Sequence, residues 1–446
     1  MTSSESSQAE APQVEAPGIA APATPPCFPL AGGGVTSARG FSAAGVRAGF
    51  HKEPDRLDLA LVASDEPCAC AAVFTQNVFC AAPVQVSRAH LDEGGATLGG
   101  GPAYGTARAV LVNSGNANAA TGERGLEAAR ATARLAAGLL GCPEQEVLVA
   151  STGVIGQHLP LAPFEAALPQ AVQALSPGGG PLAARAIMTT DTRPKESACT
   201  FTVDDPTYAG CTFVVGGMAK GAGMIMPNMA TMIAVLATDA PLAAPDAHAA
   251  LARVAARTFN KVTVDSDTST NDSCFLMANG AAAPERPPFA RDGVAFQAFE
   301  RALEHVCTQL ARAMAADGEG ASRLVTVRVT GAATPEDADG AARAVANSPL
   351  VKTAVNGHDA NWGRIAMAVG KSGAVFRQQD VAIDIMGLPV CRGGLTVPFD
   401  EAEALARFER PEVGIDVDLG AGDAQATVWT CDFTHDYITI NGDYRT

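Results

Sequence analysis

Residues 220–239 read KGAGMIMPNMATMIAVLATD, and the stretch changes character at a single bond. Up to Ala230 it is glycine, methionine and proline without a period. From Thr231 it runs Met-Ile-Ala-Val-Leu-Ala, the apolar and partly β-branched pattern of a core strand. A loop that gives way to a strand opening on threonine is the form expected of a hidden N-terminus. The α-amine of a chain end titrates at about 7.7–8.0, so a threonine in first position carries its own general base. Such a residue can expose itself: Oγ attacks the preceding carbonyl, an ester replaces the amide, and water opens the ester.

Outward from this stretch, strands and helices mix. Residues 109–112 form an apolar run that breaks into an Asn/Ser/Gly loop, GLEAARATARLAAGLLG (125–141) reads as a helix ended by Gly141 and Pro143, and residues 147–150 read as a buried strand entering a turn at 151–153. Residues 245–259 look helical, and Phe296, Phe299, Leu303, Val306 and Leu310 recur at helical steps. The last third alternates instead: residues 381–385, 413–419 and 426–430 place apolar side chains at every second position, as half-buried strands do, with GAGD as a turn between the last two. Gly178 to Gly180 and Pro284 to Pro288 read as exposed loops, and the glycine cluster LGGGPAYG (98–105) as a surface loop rather than a dinucleotide cradle. The sum is a mixed α/β protein with helices packed on sheets.

With 446 residues, 47% hydrophobic and 17% charged, the chain can bury a large core. A net charge of -16 argues against nucleic acid or an anionic membrane as partner and leaves small molecules. There is no apolar run of membrane-spanning length and no basic n-region at the start, so a cytoplasmic location is expected. The eleven cysteines show no CxxC pair and read as reduced, mostly buried thiols, with no metal expected. The opening stretch to Pro26 is rich in Ser, Ala, Pro and Glu, and residues 1–33 are assigned to a disordered tail. A search for a G-x-S-x-G elbow, a P-loop or an HExxH helix finds none, and the seven histidines show no ligand spacing.

The stretch 220–240 resembles the cleavage motif of the ornithine acetyltransferase family, also called the glutamate N-acetyltransferase family of arginine biosynthesis. GVTSARGFSAAGVRAG (34–49), VNSGNANAATG (112–122), VLVASTGVIG (147–156), AIMTTDTRPKE (186–196), TVDSDTSTNDS (263–273), ADGEGASR (316–323), NGHDANWGRI (356–365) and INGDYRT (440–446) resemble further family blocks, in family order, over roughly residues 34–446. The resemblance implies a layered helix-sheet-sheet-helix body with a smaller C-terminal lobe, made of an alpha chain (34–230) and a beta chain (231–446) from one precursor, in a heterotetramer of two of each. It makes Ala230-Thr231 the scissile bond, Thr231 the nucleophile, and Thr152 with Gly153 the oxyanion hole. Independently, a hydroxyl and a glycine amide in the turn ending a buried strand are well-fixed donors. Substrate contacts fall on Thr190, Lys220, Thr231, Glu319, Asn441 and Thr446, whose chemistry suits amino-acid ligands: lysine and hydroxyls for an α-carboxylate, Glu319 for an ammonium.

The implied reaction is ping-pong: Thr231 takes acetyl from N-acetylornithine and glutamate removes it, with no metal or organic cofactor. Whether acetyl-CoA is also a donor is left open. Met226 replaces an expected small residue, Ala120 an expected cysteine, and Phe79-Cys80 more polar residues; none removes a catalytic group. Two other classes stay open: an N-terminal-threonine amidase or aminopeptidase, in which water reaches the acyl-enzyme, and an uncleaved binding protein for which PNMAT is only a turn.

Overall fold

The computed structural model describes residues 27–95, 100–226 and 232–443. The larger sheet holds β1 (Phe28–Pro29), β2 (Phe41–Val46), β3 (Leu59–Phe74), β4 (Ala103–Asn116), β5 (Val147–Val154), β6 (Lys195–Phe201), β7 (Phe213–Lys220), β8 (Ile233–Thr238) and β9 (Ser273–Ala278). Their order is β1-β6-β7-β8-β9-β3-β4-β5, with β2 also on β3. The pairs β4–β5 and β8–β9 are parallel, and the other neighbours are antiparallel.

The corner of this sheet is β3. Its ladder with β4 slips between Ala63 and Cys68, where Asp65, Glu66 and Pro67 stand exposed. Before the bulge β3 pairs with β2, and after it with β9. A bulge bends a strand, so one continuous sheet turns back over itself and makes two layers. Between them, Val62, Val112 and Leu148 join Met218, Val235 and Phe275 in one core cluster. Helices Ala244–Arg257 and Val294–Ala316 cover one outer face through Leu251, Phe299 and Leu303. Helices Gly122–Leu140 and Ala162–Gln173 cover the other through Ala133 and Leu168. The body is therefore helix, sheet, sheet, helix.

This arrangement explains the apolar run after residue 231. Ile233, Val235 and Ala237 face the core between the sheets, while Ala234 and Leu236 face the helices, so every residue of β8 is buried. A strand covered on both faces cannot alternate. Each buried Val, Ile or Leu contributes roughly 1.5–3 kcal/mol, which fixes the strand and the direction from which the chain enters it.

The C-terminal lobe is a second sheet of β10 (Leu324–Ala332), β11 (Ala382–Ile385), β12 (Leu388–Arg392), β13 (Leu395–Thr396), β14 (Glu412–Asp418) and β15 (Ala424–Cys431), in the order β13-β12-β11-β14-β10-β15. Val325, Val327 and Val329 of β10 pack with Ile383, Ile415 and Val428 against helices Pro335–Ala346 and Trp362–Gly370. With only one face covered, β11 and β14 alternate as their sequence does.

The anticipated helices and strands are present: Gly141 ends the helix before β5 at φ +69°, the left-handed turn that suits glycine. Three boundaries need correction. The disordered tail does not extend to residue 33, because Phe28–Pro29 pairs with Thr200 and Cys199 of β6 and Cys27 is buried; residues 1–26 lie outside the described residues. The glycine cluster at 98–105 is a loop only in part, since Ala103 to Gly105 already pair with β3 and an aromatic-bearing strand begins there. Gly179 and Gly180 are buried against Ala43 and Thr36, and only Gly178 is exposed. The loop at 284–288 is exposed as expected. No helix among the described residues is long and apolar enough to cross a membrane.

Candidate active site

A cavity of about 260 Å³ opens where strands of the larger sheet, the loops beside them and the C-terminal segment meet. Thr152 and Gly153 reach it from the end of β5, Lys220 from the end of β7, Glu319 from the turn after helix Val294–Ala316, and Asn441 from the terminal helix His435–Asp443. Thr190 adds a hydroxyl from the loop before β6. The structure thus gathers Thr152, Gly153, Thr190, Lys220, Glu319 and Asn441, widely separated in sequence, around one small polar chamber. Ala230, Thr231 and Thr446 lie outside the described residues. Lys220 is in register with Ile233, the first residue of β8, so the chain reaches β8 beside the lysine.

Gly153 sits where β4 and β5 crowd together. Its φ is +132°, and a Cβ there would lie 2.4 Å from the carbonyl carbon of Gly115. Only glycine admits both the backbone angle and the approach. Asn271 holds this corner from the opposite layer, its Nδ2 donating to the carbonyls of Ser151 at 2.8 Å and Ala117 at 2.6 Å. Ser151 in turn donates to Asn113 Oδ1 at 2.6 Å. The Thr152–Gly153 turn is thereby tied to three segments before any ligand arrives.

Lys220 is buried, and its Nζ donates to Thr152 Oγ1 at 3.3 Å. Burial pushes its pKa down; Asp191 opposes this, and Lys195 adds to it. Asp191 accepts from Lys195 Nζ at 2.6 Å and from the Gly221 amide at 2.7 Å. Burial alone would raise this carboxyl, but Lys220 and Lys195 outweigh it and hold Asp191 at about 2. Lys195 also donates to Asp317 Oδ2 at 2.6 Å, and Asp317 accepts from the backbone and hydroxyl of Thr192. The result is a buried Asp191–Lys195–Asp317 chain beneath the pocket floor. It ties the Thr189–Thr190 loop, the Lys220–Gly221 turn and the Glu319 turn to one another.

Glu319 accepts from Asn441 Nδ2 at 2.8 Å, and its amide donates to Ala222 O at 2.8 Å. The carboxyl lies so close to Gly223 that a Cβ there would meet it at 2.3 Å. Asp265 takes the amides of Met224 and Ile225 at 2.6 and 2.7 Å, fixing that loop beside the pocket. Met226 is accommodated half-buried, its sulfur against Asn347. Sequence reading missed Asp191, Lys195, Asp265, Asn271 and Asp317. All lie within three of the quoted sequence blocks, but nothing in spacing shows that these buried polar groups will meet.

The chamber is lined by hydroxyls, a buried lysine and the carboxylates of Asp265, Asp267 and Glu319, without a histidine among its described lining residues, and suits a small polar ligand. The model of the ArgJ family matches residues 42–446. The chain is 45% identical over 430 residues to the arginine biosynthesis bifunctional protein ArgJ of Thermosynechococcus vestitus, covering 93% of this chain and 98% of that one. Against the protein of the same name from Symbiobacterium thermophilum it is 47% identical, covering 93% and 99%. Two solved structures are also similar. The crystal structure of the ArgJ protein of Bacillus halodurans has 38% identity and a TM-score of 0.44, covering 46% of this chain and 96% of its own. The ornithine acetyltransferase of Mycobacterium tuberculosis, solved with ornithine, has 40% identity and a TM-score of 0.39, covering 45% and 98%. The chain belongs to the ArgJ family, and is an acyltransferase of arginine biosynthesis.

Proposed function

We propose that this chain cuts itself between Ala230 and Thr231 and then moves acetyl from N-acetylornithine to glutamate through an ester on Thr231 Oγ. The observation that carries the reading is the Lys220 Nζ to Thr152 Oγ1 hydrogen bond in a chamber also lined by the hydrogen-bonded pair Glu319 and Asn441. With its lone pair engaged by the lysine, the Thr152 hydroxyl is left to donate its proton. It and the Gly153 amide are assigned to the oxyanion of the tetrahedral intermediate. Glu319, Asn441 and Thr190 are assigned to the amino-acid end of the substrate.

In the first half-reaction Thr231 Oγ adds to the acetyl carbonyl while the α-amine takes the hydroxyl proton. The intermediate collapses with cleavage of the C–N bond, the proton passes to the departing nitrogen, and ornithine leaves. In the second, the glutamate amine adds to the ester, the C–O bond breaks, and the threonine hydroxyl is restored with N-acetylglutamate released. Every group in this scheme is supplied by the chain, so no resident cofactor is assigned. The curated relatives are called bifunctional, and we extend this to acetyl-CoA as a second donor to glutamate. Two alpha and two beta pieces in a cytoplasmic heterotetramer complete the reading.

The test is the intact mass of the denatured protein beside a Thr231→Ala variant, followed by incubation with N-acetylornithine with and without glutamate. Wild type in two pieces, the variant whole, and ornithine release that stops at one equivalent per Thr231 without glutamate and turns over with it are expected. A wild type that stays whole overturns the reading, and sustained ornithine release beyond one equivalent with water alone replaces it with a hydrolase.

A further inference from the structure

The terminal helix His435–Asp443 carries Tyr437 and Asn441, both of which line the chamber, yet none of its nine residues is buried. A helix of this length is marginal in water, and this one lays no side chain into the core. Its place beside the chamber therefore depends on a few tethers. Thr434 Oγ1 donates to Gly320 O at 2.6 Å, and Asn441 Nδ2 donates to Glu319 Oε2 at 2.8 Å. The rings of Phe433 and Tyr437 stack with centroids 4.7 Å apart and planes at 23°. Asn441 Nδ2 also donates to the Tyr437 carbonyl at 3.0 Å, so the side chain that reaches Glu319 is bound to the residue that the stack holds.

Phe433 in turn rests on Lys352, from helix Pro349–Asn356 of the C-terminal lobe. The Lys352 ammonium lies 4.4 Å from the centroid of the Phe433 ring, donates to Thr430 Oγ1 at 2.7 Å and to Cys431 O, and has Cys431 Sγ at 3.6 Å. The Phe433 N–H donates to the Lys352 carbonyl at 3.3 Å. Lys352 is 1% exposed, and its charge is met by a hydroxyl, a carbonyl, a thiol and a ring rather than by a carboxylate. A methionine of similar volume would fill the space without burying a charge. What the charge adds is direction: two acceptors at the end of β15 hold the ammonium against the ring, where a contact stripped of water is stronger than at a surface.

We infer that Lys352 is a positioning residue for the amino-acid substrate: through Phe433 it fixes Tyr437, and with Tyr437 the turn of helix that brings Asn441 to Glu319. This rests on the reading of the chamber given above. Neither Lys352 nor Phe433 lines the chamber, so their influence passes through the helix. The Thr152–Gly153 turn is held separately, by Asn271 on the Ser151 carbonyl and by Ser151 on Asn113. Loosening the helix therefore weakens the grip on the substrate and leaves the reacting corner in place, which is the signature of lost uniform binding.

The test is steady-state kinetics on the full chain carrying Phe433→Leu, Lys352→Met, or both. Each single change is expected to raise KM for N-acetylornithine by roughly 3–10-fold, the equivalent of one hydrogen bond, with kcat within about 2-fold of wild type. The double variant is expected to match the more impaired single variant, because the two residues act along one path. Phe433→Tyr, which keeps a ring against the ammonium, is expected to hold KM near wild type. A KM unmoved by either single change, a kcat that falls as far as KM rises, or single effects that multiply in the double variant overturns the inference. So does a Phe433→Tyr protein as impaired as Phe433→Leu. Should Lys352→Met fail to fold, lysine side-chain NMR of the wild-type chain titrated with ornithine decides the matter. The Lys352 signal, displaced by the ring current of Phe433 and shifted in Phe433→Leu, is expected to move as ornithine binds; a signal that stays still overturns the inference. Ornithine that does not bind wild type sinks the reading of the chamber and this one together, whereas binding with an unmoved signal sinks this one alone.

Discussion

Three glycine-to-alanine changes separate backbone strain from crowding and test the geometry of the Thr152–Gly153 turn. Gly138 lies in helix Gly122–Leu140 with nothing within 4 Å of an added Cβ, so alanine there should stabilise by roughly 0.5–1 kcal/mol. Gly156 has φ +79° and equally open space, so alanine meets only the left-handed penalty of about 1–2 kcal/mol. Gly153 has φ +132°, and its Cβ would lie 2.4 Å from Gly115 C, 2.6 Å from Asn116 N and 2.7 Å from Gly115 Cα. All three are backbone atoms of the adjacent strand, which cannot swing aside as a side chain tip can. Strain of about 1–3 kcal/mol and crowding of about 1–3 kcal/mol then combine to roughly 2–6 kcal/mol, a large part of a typical domain's stability. Urea unfolding in the Thr231→Ala background, where the chain is expected to stay whole, measures all three on a unimolecular transition. A Gly153→Ala protein no less stable than Gly156→Ala would refute the close approach of β4 and β5.

Other outcomes follow from the site. Thr152→Val keeps the side-chain shape but removes the hydroxyl, so kcat should fall by roughly 10²–10³, and because the buried Lys220 loses its acceptor the melting temperature should fall as well; kinetics and melting against Thr152→Ser, which should retain most of both, checks this. Glu319→Gln removes a charged partner for the substrate ammonium and should lower kcat/KM for N-acetylornithine by roughly 10–100-fold, with acetyl-Thr231 once formed still reacting with glutamate in single-turnover assays. Asp191, held at about 2 against an ordinary 3.8, contributes stability that is complete above pH 4 and is lost as pH falls from there toward 2. The depression corresponds to about 2 kcal/mol, and acid unfolding curves should show that extra slope in wild type and not in Asp191→Asn.

The C-terminal lobe was legible because its strands are covered on one face only, so the alternation of Ile383, Ile385, Val413, Ile415 and Val417 is written directly into the chain. The β8 run was legible as a core strand, but its neighbours were not. Burial on both faces erases the alternation that would show which side faces which layer. The long strand β3 escaped reading altogether, because Asp65, Glu66 and Pro67 look like a turn between two strands, whereas the chain bends there and continues. At the site, Thr152, Gly153, Lys220, Glu319 and Asn441 came from family resemblance and the fold brings them together. The Asp191–Lys195–Asp317 chain was invisible for a different reason. Lys and Asp are surface residues by composition, and only their mutual contacts make them fit for the interior.

In the large sheet β8 lies between β7 and β9, and β9 lies against β3. If the chain is divided before residue 231, β8 and β9 belong to one piece while the strands gripping them from both sides, β7 and β3, belong to the other. The two pieces are then interlocked like a dovetail, and neither can leave without breaking a ladder on each flank. Assembly is easiest before division: the undivided chain folds as one molecule, but after heat or denaturant has separated the pieces they must find each other from dilute solution with two strand slots open. Activity recovered on refolding should therefore depend on protein concentration for the divided chain, whereas folding of the undivided chain should not, so that division would turn a unimolecular folding step into a bimolecular one.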